Sequence, residues 1–471
     1  MEIIHLSAEC YPVAKAGGLG DVVSALPKYQ CKAGHFAKVV MPMYHRPFVW
    51  ENELLNEFES DFEMGPYRFH FRIMKEKSNK LGFDLYLVDI PGLFDREGIY
   101  SYDDDAQRFI GFQIAFLDWV RQWQHRPDII HCHDHHTSFV PFLMQYAYRY
   151  QHLATIKTVL TIHNGLYQGW MDWKMAELLP DFDNWKAGLI DFNNVVNPLS
   201  SAIRCANAIT TVSNSYMLEL MENAAGLEVL FRSFHYKCYG ILNGIDTEVW
   251  NPETDPYLSF HYNRQNVDER KLKSKLEICE MFGLDSEKPL FAFIGRAVPE
   301  KGADLLAEAI GRAVSDLKGN CNFLVLGSGD KQIERQLEGL KSFCKGSYDC
   351  YIGYSEELSH KIYAAADFLL MPSRVEPCGR NQMYALRYGT IPIVRSVGGL
   401  KDTVLDFGES GGFGICFNQA SIEDILHSCY RAVELYYNYQ ESFLVIRQRM
   451  MEIDHSWEKS CTQYINLYRS L

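Results

Sequence analysis

The 471-residue chain has no uninterrupted apolar run long enough to cross a bilayer, so no membrane-spanning helix is expected. Its opening residues, MEIIHLSAECYP, have neither a basic leader nor a long apolar core, which argues against a secretory signal and towards a soluble, cytoplasmic protein. Positive charge is scarce: 46 Lys and Arg stand against 60 Asp and Glu, for a net charge of −14. That balance excludes nucleic acid or an anionic membrane as the main partner and leaves room only for a local basic cleft within an acidic shell. The 13 cysteines form no Cys-x-x-Cys pair, so neither a disulfide framework nor a thiolate zinc site is expected, and most should be small core residues. There is also no short-period repeat, low-complexity tract or heptad run.

What the chain does have is hydrophobic content, 47% of its residues, more than one core accommodates, so two or three domains are expected. Apolar runs of strand length alternate with stretches of helical period, the pattern of parallel α/β architecture. After Ile3 to Leu6, expected strands cover 38–42, 85–89, 128–134, 157–163 and 208–213. A helix is expected over 105–123, capped by Asp103, Asp104 and Asp105, with Phe109, Phe112, Phe116 and Val120 on one apolar face. The Pro-, Asn- and Asp-rich stretch from Trp250 to Asn266, followed by a charged helix, reads as a domain boundary. From Pro289 the alternation starts again, with helices expected from Gly302 to Leu317 and from Gly379. The boundaries drawn are 1–248, 249–455 and a final amphipathic helix, 456–471, which by sequence could pack on either domain.

Five polar clusters lie at strand ends, where open α/β sheets bind ligands. The first, KAGGLGD at 15–21, is a glycine-rich turn between strand and helix. It can bring amides close to an anion, and Lys15 adds a charge. It fits neither G-x-G-x-x-G nor G-x-x-x-x-G-K-[ST], so a purely structural turn is the alternative. The second is HCHDHH at 131–136. Alternation puts His131 and His133 on one face, but a metal needs three or four convergent ligands, and Asp134 is the better candidate as a substrate-orienting acceptor. The third, IHNGLYQG at 162–169, sends His163 out of a buried strand beside Asn164, an arrangement suited to aiming polar groups at a ligand. The fourth, GRAVPEKG at 295–302, places Arg296 and Lys301 as an anion clamp for a departing diphosphate, the alternative being a solvated loop paired with Glu300. In the fifth, PSRVEPCGRNQ, Glu376 can accept two sugar hydroxyls and the amides from Cys378 to Asn381 begin a helix, the alternative being an ion pair of Glu376 with Arg374.

The strings KAGGLGDVVSALPK, HCHDHHTS, TIHNGLYQG, VSNSY, LNGID, GRAVPEKGADLL, MPSRVEPCGRNQMYALRYGTIPIVR and VGGLKDTV occur in the order and approximate spacing of the bacterial glycogen synthases and plant starch synthases. The chain resembles that family over essentially its whole length, with residues 46–80 and 166–200 contributing little. The resemblance implies a GT-B architecture: two Rossmann-like, doubly wound domains facing across a cleft, with the C-terminal helix crossing back to the first. It also implies retaining transfer of glucose from a nucleotide-glucose, usually ADP-glucose, to the non-reducing end of an α-1,4-glucan, without a metal or other cofactor.

Position by position, the resemblance implies that Lys15 and the Gly17 and Gly18 amides touch the donor, with Asp21 bracing the turn. Asp134, His163 and Asn164 would line the sugar side, and Asn243 of LNGID would belong to the substrate set. Arg296 and Lys301 would neutralise the diphosphate and Glu376 would hold glucose hydroxyls. Cys378, Gly379, Arg380 and Asn381 would complete the donor site, with Tyr354 flanking the base. Two residues depart from the pattern. EPCGRNQ replaces the usual EPCGLTQ, so Arg380 stands for an apolar residue and Asn381 for a threonine, a change expected to alter donor affinity or nucleotide choice. His135 stands where a tryptophan is common. A related glucosyltransferase with another donor base or acceptor, and a glucan-binding protein without turnover, are the alternatives.

Overall fold

A computed structural model describes all residues, Met1–Leu471. They form two compact units, Met1–Leu242 together with Trp457–Leu471, and Asn243–Ser456.

The first unit is built on β1 (Glu2–Leu6), β2 (Phe36–Pro42), β3 (Leu54–Met64), β4 (Tyr67–Glu76), β5 (Asp84–Asp89), β6 (Ile129–His133), β7 (Lys157–Ile162), a separate two-stranded ribbon β8 (Asp191–Phe192) and β9 (Val195–Val196), then β10 (Ala208–Thr211) and β11 (Cys238–Gly240). The large sheet runs β11-β10-β7-β6-β1-β2-β5-β4-β3. Seven of its strands are parallel, and helices cover both faces, which is why β1, β6, β7 and β10 are buried along almost their whole length. The antiparallel pair β3–β4 extends the edge beyond β5. The βα alternation does not announce this hairpin, because its solvated face interrupts every apolar run with charge.

The helix expected over 105–123 spans Asp105–Val120. Its aspartates do not cap it as expected: Asp104 makes no cap bond and instead takes a bidentate grip from Arg96, while Asp105 pairs with Arg108. The final helix, Trp457–Arg469, lies on the first unit. Trp457, Cys461, Tyr464, Ile465, Leu467 and Tyr468 join Ile3, Val22, Leu26, Ile129, Val159 and Ala208 in one cluster.

The second unit carries β12 (Leu290–Ile294), β13 (Asn322–Gly327), β14 (Tyr348–Ile352), β15 (Phe368–Met371), β16 (Ile391–Arg395) and β17 (Ile415–Phe417), all parallel, in the order β14-β13-β12-β15-β16-β17. Helices Leu306–Asp316 and Ile422–Asn438 close one face, and Val267–Phe282 and Glu356–Ala365 the other, giving two cores. Two helix starts move. Gly302 does not open a helix: it sits left-handed at φ 69° between turns Pro299–Lys301 and Ala303–Leu305, and the α-helix begins at Leu306. The helix expected from Gly379 spans Asn381–Arg387, because Gly379 has φ 72°.

Among the parallel strands of each unit the order reverses once. In the first this happens between β1 and β6, in the second between β12 and β15. The carboxyl ends of strands at such a reversal diverge and leave a crevice for ligand, and four of the five polar clusters, with the exception of 162–169 after β7, follow these four strands.

Candidate active site

In the first unit the turn after β1 is organised by Glu9, which the sequence reading missed. Its buried carboxylate accepts from the Ala16 and Gly17 amides at 2.6 and 3.0 Å and from the Tyr100 hydroxyl at 2.6 Å. The Gly17 amide, which the resemblance assigns to the donor, is therefore committed to Glu9 here. A Cβ on Gly17 or Gly18 would meet no atom within 4 Å, so packing does not demand either glycine. What they leave is open space. Lys15 donates to Asp21 at 2.8 Å, with Asp21 in the first turn of the helix Gly18–Lys32. The lysine side chain is 40% exposed, and an ion pair that open is weak enough to exchange for an anionic ligand.

At the end of β6, Asp134 has a positive φ of 56°, which costs a non-glycine residue energy and persists only where the surrounding structure holds it. Its carboxylate accepts the His163 amide at 2.7 Å, and burial pushes its pKa up to about 7. That joins the second and third clusters. Burial lowers the pKa of His163 to about 3, so its ring is neutral. Its Nε2 lies 3.0 Å from Nδ1 of His133. Asn164 spends its side-chain oxygen on the Leu166 amide at 3.0 Å, an Asx turn that redirects the chain. His135 bonds the Tyr167 carbonyl at 3.1 Å and lines, with Phe109, His136 and Trp170, a cavity of ≈ 170 Å³.

His131 and His133 share a face as expected, their rings stacked 4.3 Å apart. Pairing of β1 with β6 brings His5 to them, and ligand-capable atoms of the three lie within 4.8 Å of one another. All six ring nitrogens nevertheless have partners in the protein, so no lone pair is left over for an ion.

In the second unit Lys301 donates to both oxygens of Glu376, at 2.7 and 2.6 Å, and Ser373 adds a third bond at 3.0 Å. Gly302 makes this meeting possible: a Cβ there would lie 2.2 Å from the Pro372 carbonyl oxygen, so only glycine lets the turn after β12 dock on the end of β15. On the other side a Cβ on Gly399 would lie 1.9 Å from the Cys378 carbonyl oxygen, and the Gly399 amide bonds the Glu376 carbonyl at 3.1 Å. Glu376 is thus held between two backbones. The alternative pairing of Glu376 with Arg374 does not form, because Arg374 grips Asp304 bidentately at 2.6 and 2.9 Å. Arg296 comes within 3.7 Å of Glu300 and is 65% exposed, so the solvated pairing holds for Arg296 and not for Lys301.

The remaining candidates divide. Cys378 is buried, and burial pushes its thiol up to about 12, which rules out a nucleophilic role near neutrality. Arg380 occupies the N-cap position of the helix Asn381–Arg387, and the first amides of any helix lack intrahelical partners. The Asn381 side chain is tied to the Ile294 carbonyl at 2.6 Å, so its donor serves the end of β12. Asn243 is buried with its side-chain oxygen unpartnered. Tyr354 is 81% exposed and its hydroxyl donates to Glu356 at 3.1 Å.

Residues 2–233 match the family model "Starch synthase catalytic domain" and residues 275–441 match "Glycosyl transferases group 1". A glycogen synthase of Flavobacterium johnsoniae is 53% identical, covering 99% of this chain and 98% of that protein. This chain belongs to the glycogen and starch synthase family. A glycogen synthase of Streptococcus pneumoniae is 35% identical over the full length of both chains. The catalytic domain of starch synthase IV from Arabidopsis thaliana, bound to ADP and acarbose, superposes with a TM-score of 0.86 at 33% identity, covering 100% of this chain and 99% of that one. Sucrose-phosphate synthase from Thermosynechococcus elongatus, at 16% identity and a TM-score of 0.62, shares the fold. This member of the family is a glycosyltransferase of GT-B fold, with a Rossmann-like sheet in each unit. No helix is long and apolar enough to cross a membrane.

Besides Glu9, the residues missed from sequence are Tyr100, Ser373 and Asp304, which position the named candidates. Glu9 had a signal, since it is an acidic residue three positions past the carboxyl end of β1, in the region where open α/β sheets bind ligands. Tyr100 and Asp304 act across separations of 91 and 70 positions, whereas Ser373 lies only three positions before Glu376.

Proposed function

We propose that this chain is a glycogen synthase that transfers glucose, with retention, from ADP-glucose to the non-reducing end of an α-1,4-glucan in the cytoplasm. The observation that carries the reading is the Lys301–Glu376 pair where the second sheet reverses, in a chain 53% identical to a glycogen synthase. Donor binding would exchange this internal pair for two external ones. Glucose hydroxyls would take the Glu376 oxygens, and the diphosphate would take Lys301, with Arg296 free to swing from Glu300 as a second cation. As the glycosidic bond breaks, charge develops on the diphosphate, and fixed cations stabilise that state most. In the first unit Asp134, His163 and Asn164 would serve the sugar and acceptor, and Lys15 would leave Asp21 for the donor. Asn381 keeps an amide at the position of the usual threonine but points it at Ile294, so the donor's phosphate would be held by neighbouring amides instead.

The test is incubation of the purified chain with ADP-glucose or UDP-glucose and a malto-oligosaccharide primer. Primer extension with release of ADP is expected. If neither donor gave extension or diphosphate, the proposal would fail; extension with UDP-glucose alone would reassign the donor.

A further inference from the structure

The polar residues on the inner face of the first sheet form one continuous hydrogen-bonded line. Its first half runs from His163 Nε2 to His133 Nδ1 at 3.0 Å, from His133 Nε2 to His5 Nδ1 at 3.0 Å, and from His5 Nε2 to the Gln30 amide oxygen at 2.7 Å. The Gln30 amide nitrogen then meets the Tyr468 hydroxyl at 3.3 Å, and that hydroxyl meets His131 Nδ1 at 2.6 Å. The line closes through His131 Nε2 to Thr161 at 2.6 Å, Thr161 to Thr210 at 2.5 Å, and Thr210 to the Leu160 carbonyl at 3.5 Å. Every member between the ends is fully or almost fully buried.

Burial brings His5 to about 4 and holds His131 and His133 well below the ordinary histidine range. All are neutral near pH 7, and a neutral imidazole has one donor and one acceptor. The protons along the line must therefore all point the same way. Gln30 sets the sense, because its carbonyl faces His5 and can only accept, and the Leu160 carbonyl at the far end can only accept as well. Followed back, His5 donates from Nε2, so His133 must donate from Nε2, so His163 must donate from Nε2. The Nδ1 of half-buried His163 is left as a bare acceptor, with no partner in the protein.

We propose that this line fixes the tautomer of His163 and that Gln30 is its positioning residue: the imidazole is held with Nε2–H inward and Nδ1 offered to a hydroxyl of the sugar. The proposal rests on the reading of His163 as a sugar-facing residue. It also gives the lone pair of each of the three clustered rings a partner: a neighbouring ring's proton for His5 and His133, and the Tyr468 hydroxyl for His131. Tyr468, near the end of the last helix, orients the Gln30 amide, so that helix contributes to the site without approaching it.

The test is two-bond ¹H–¹⁵N correlation on the full chain labelled with ¹⁵N-histidine, alongside steady-state kinetics. In the unaltered protein His5, His133 and His163 should all show protonated Nε2 and bare Nδ1. Gln30→Met removes the acceptor at similar shape. It should convert His163 to a mixture of tautomers and lower kcat about tenfold, the loss of one good hydrogen bond, with KM for ADP-glucose unchanged. Gln30→Glu keeps an acceptor towards His5 and should restore both. If Gln30→Met does not fold, Tyr468→Phe frees the amide to turn and should give the same tautomer mixture. A protonated Nδ1 on His163 in the unaltered protein, or a Gln30→Met or Tyr468→Phe protein with the tautomer unmoved, overturns the proposal. So does a moved tautomer with kcat unchanged. The tautomer is read without substrate, so absence of glucosyl transfer would sink the assigned activity while leaving the tautomer result standing.

Discussion

Lys301 spends two of its three ammonium protons on Glu376, so under the proposed function a diphosphate would take the third or displace the pair. Removing the lysine should cost more than a surface ion pair, because it also leaves a carboxylate that is 9% exposed with only Ser373 beside it. We expect Lys301→Ala to lower kcat by roughly 100- to 1,000-fold, on the order of the 2.7–4 kcal/mol lost with one preorganised donor. Initial rates at saturating ADP-glucose and glycogen check this, and an unchanged kcat would remove the lysine from the transition state. At this scale the sequence was informative about identity and poor about partnership. Residue type and strand-end position point to Lys301, Glu376, Asp134 and His163 as chemistry-bearing groups. Nothing local reveals that Gly17 spends its amide on Glu9, that Asn381 spends its side chain on Ile294, or that Arg374 belongs to Asp304. The last two join segments 87 and 70 positions apart that become adjacent only once the second sheet forms, and the first closes a turn across eight positions in which any of several amides could have served.

Among the elements, the buried parallel strands were legible because both faces are covered and the apolar run is continuous. Helix starts were less so. Gly302 looks like a helix opening and is instead a left-handed hinge forced by contact with Pro372, and the aspartates before the helix Asp105–Val120 look like caps but serve Arg96 and Arg108. The edge hairpin β3–β4 was silent because half its residues face water. The last helix was readable as amphipathic, but its periodicity left the docking surface open, since any apolar face of either unit fits the pattern, and it was the family resemblance that pointed it to the first unit, where it lies. Trp457, 4% exposed, anchors it on the first unit. Trp457→Ala should destabilise that unit by about 3–5 kcal/mol, the usual cost of emptying a large aromatic site, visible as a lower urea midpoint. The second unit, whose cores do not include this residue, should keep its own transition.

For the molecule as a whole, two separate cores mean that acid should act unevenly. The first unit buries His5 at a pKa of about 4, against about 6.5 when unfolded. The unfolded chain therefore takes up a proton that the folded unit refuses, and stability is lost as pH falls from 6.5 towards 4. At pH 5 this amounts to about 2 kcal/mol for His5 alone. Asp134, raised to about 7, works in the opposite direction: its folded form holds a proton more tightly, so its contribution declines as pH rises from about 4 to 7. The buried histidines outnumber it, and the net expectation is acid lability. Urea midpoints of the first unit measured between pH 7 and 5 should fall, with His5→Gln flattening the slope; a slope unchanged by His5→Gln would refute the assignment. The tie between Gln30 and Tyr468 spans 438 positions, and this bears on the birth of the protein. The first unit is begun first and finished last, since Trp457–Leu471 completes it only after Asn243–Ser456 has been made. At about 5–20 residues per second, the ribosome leaves that cluster uncovered for roughly 10–40 s. During this interval the later-made unit is free to fold, while the apolar surface that the last helix covers stays open to aggregation.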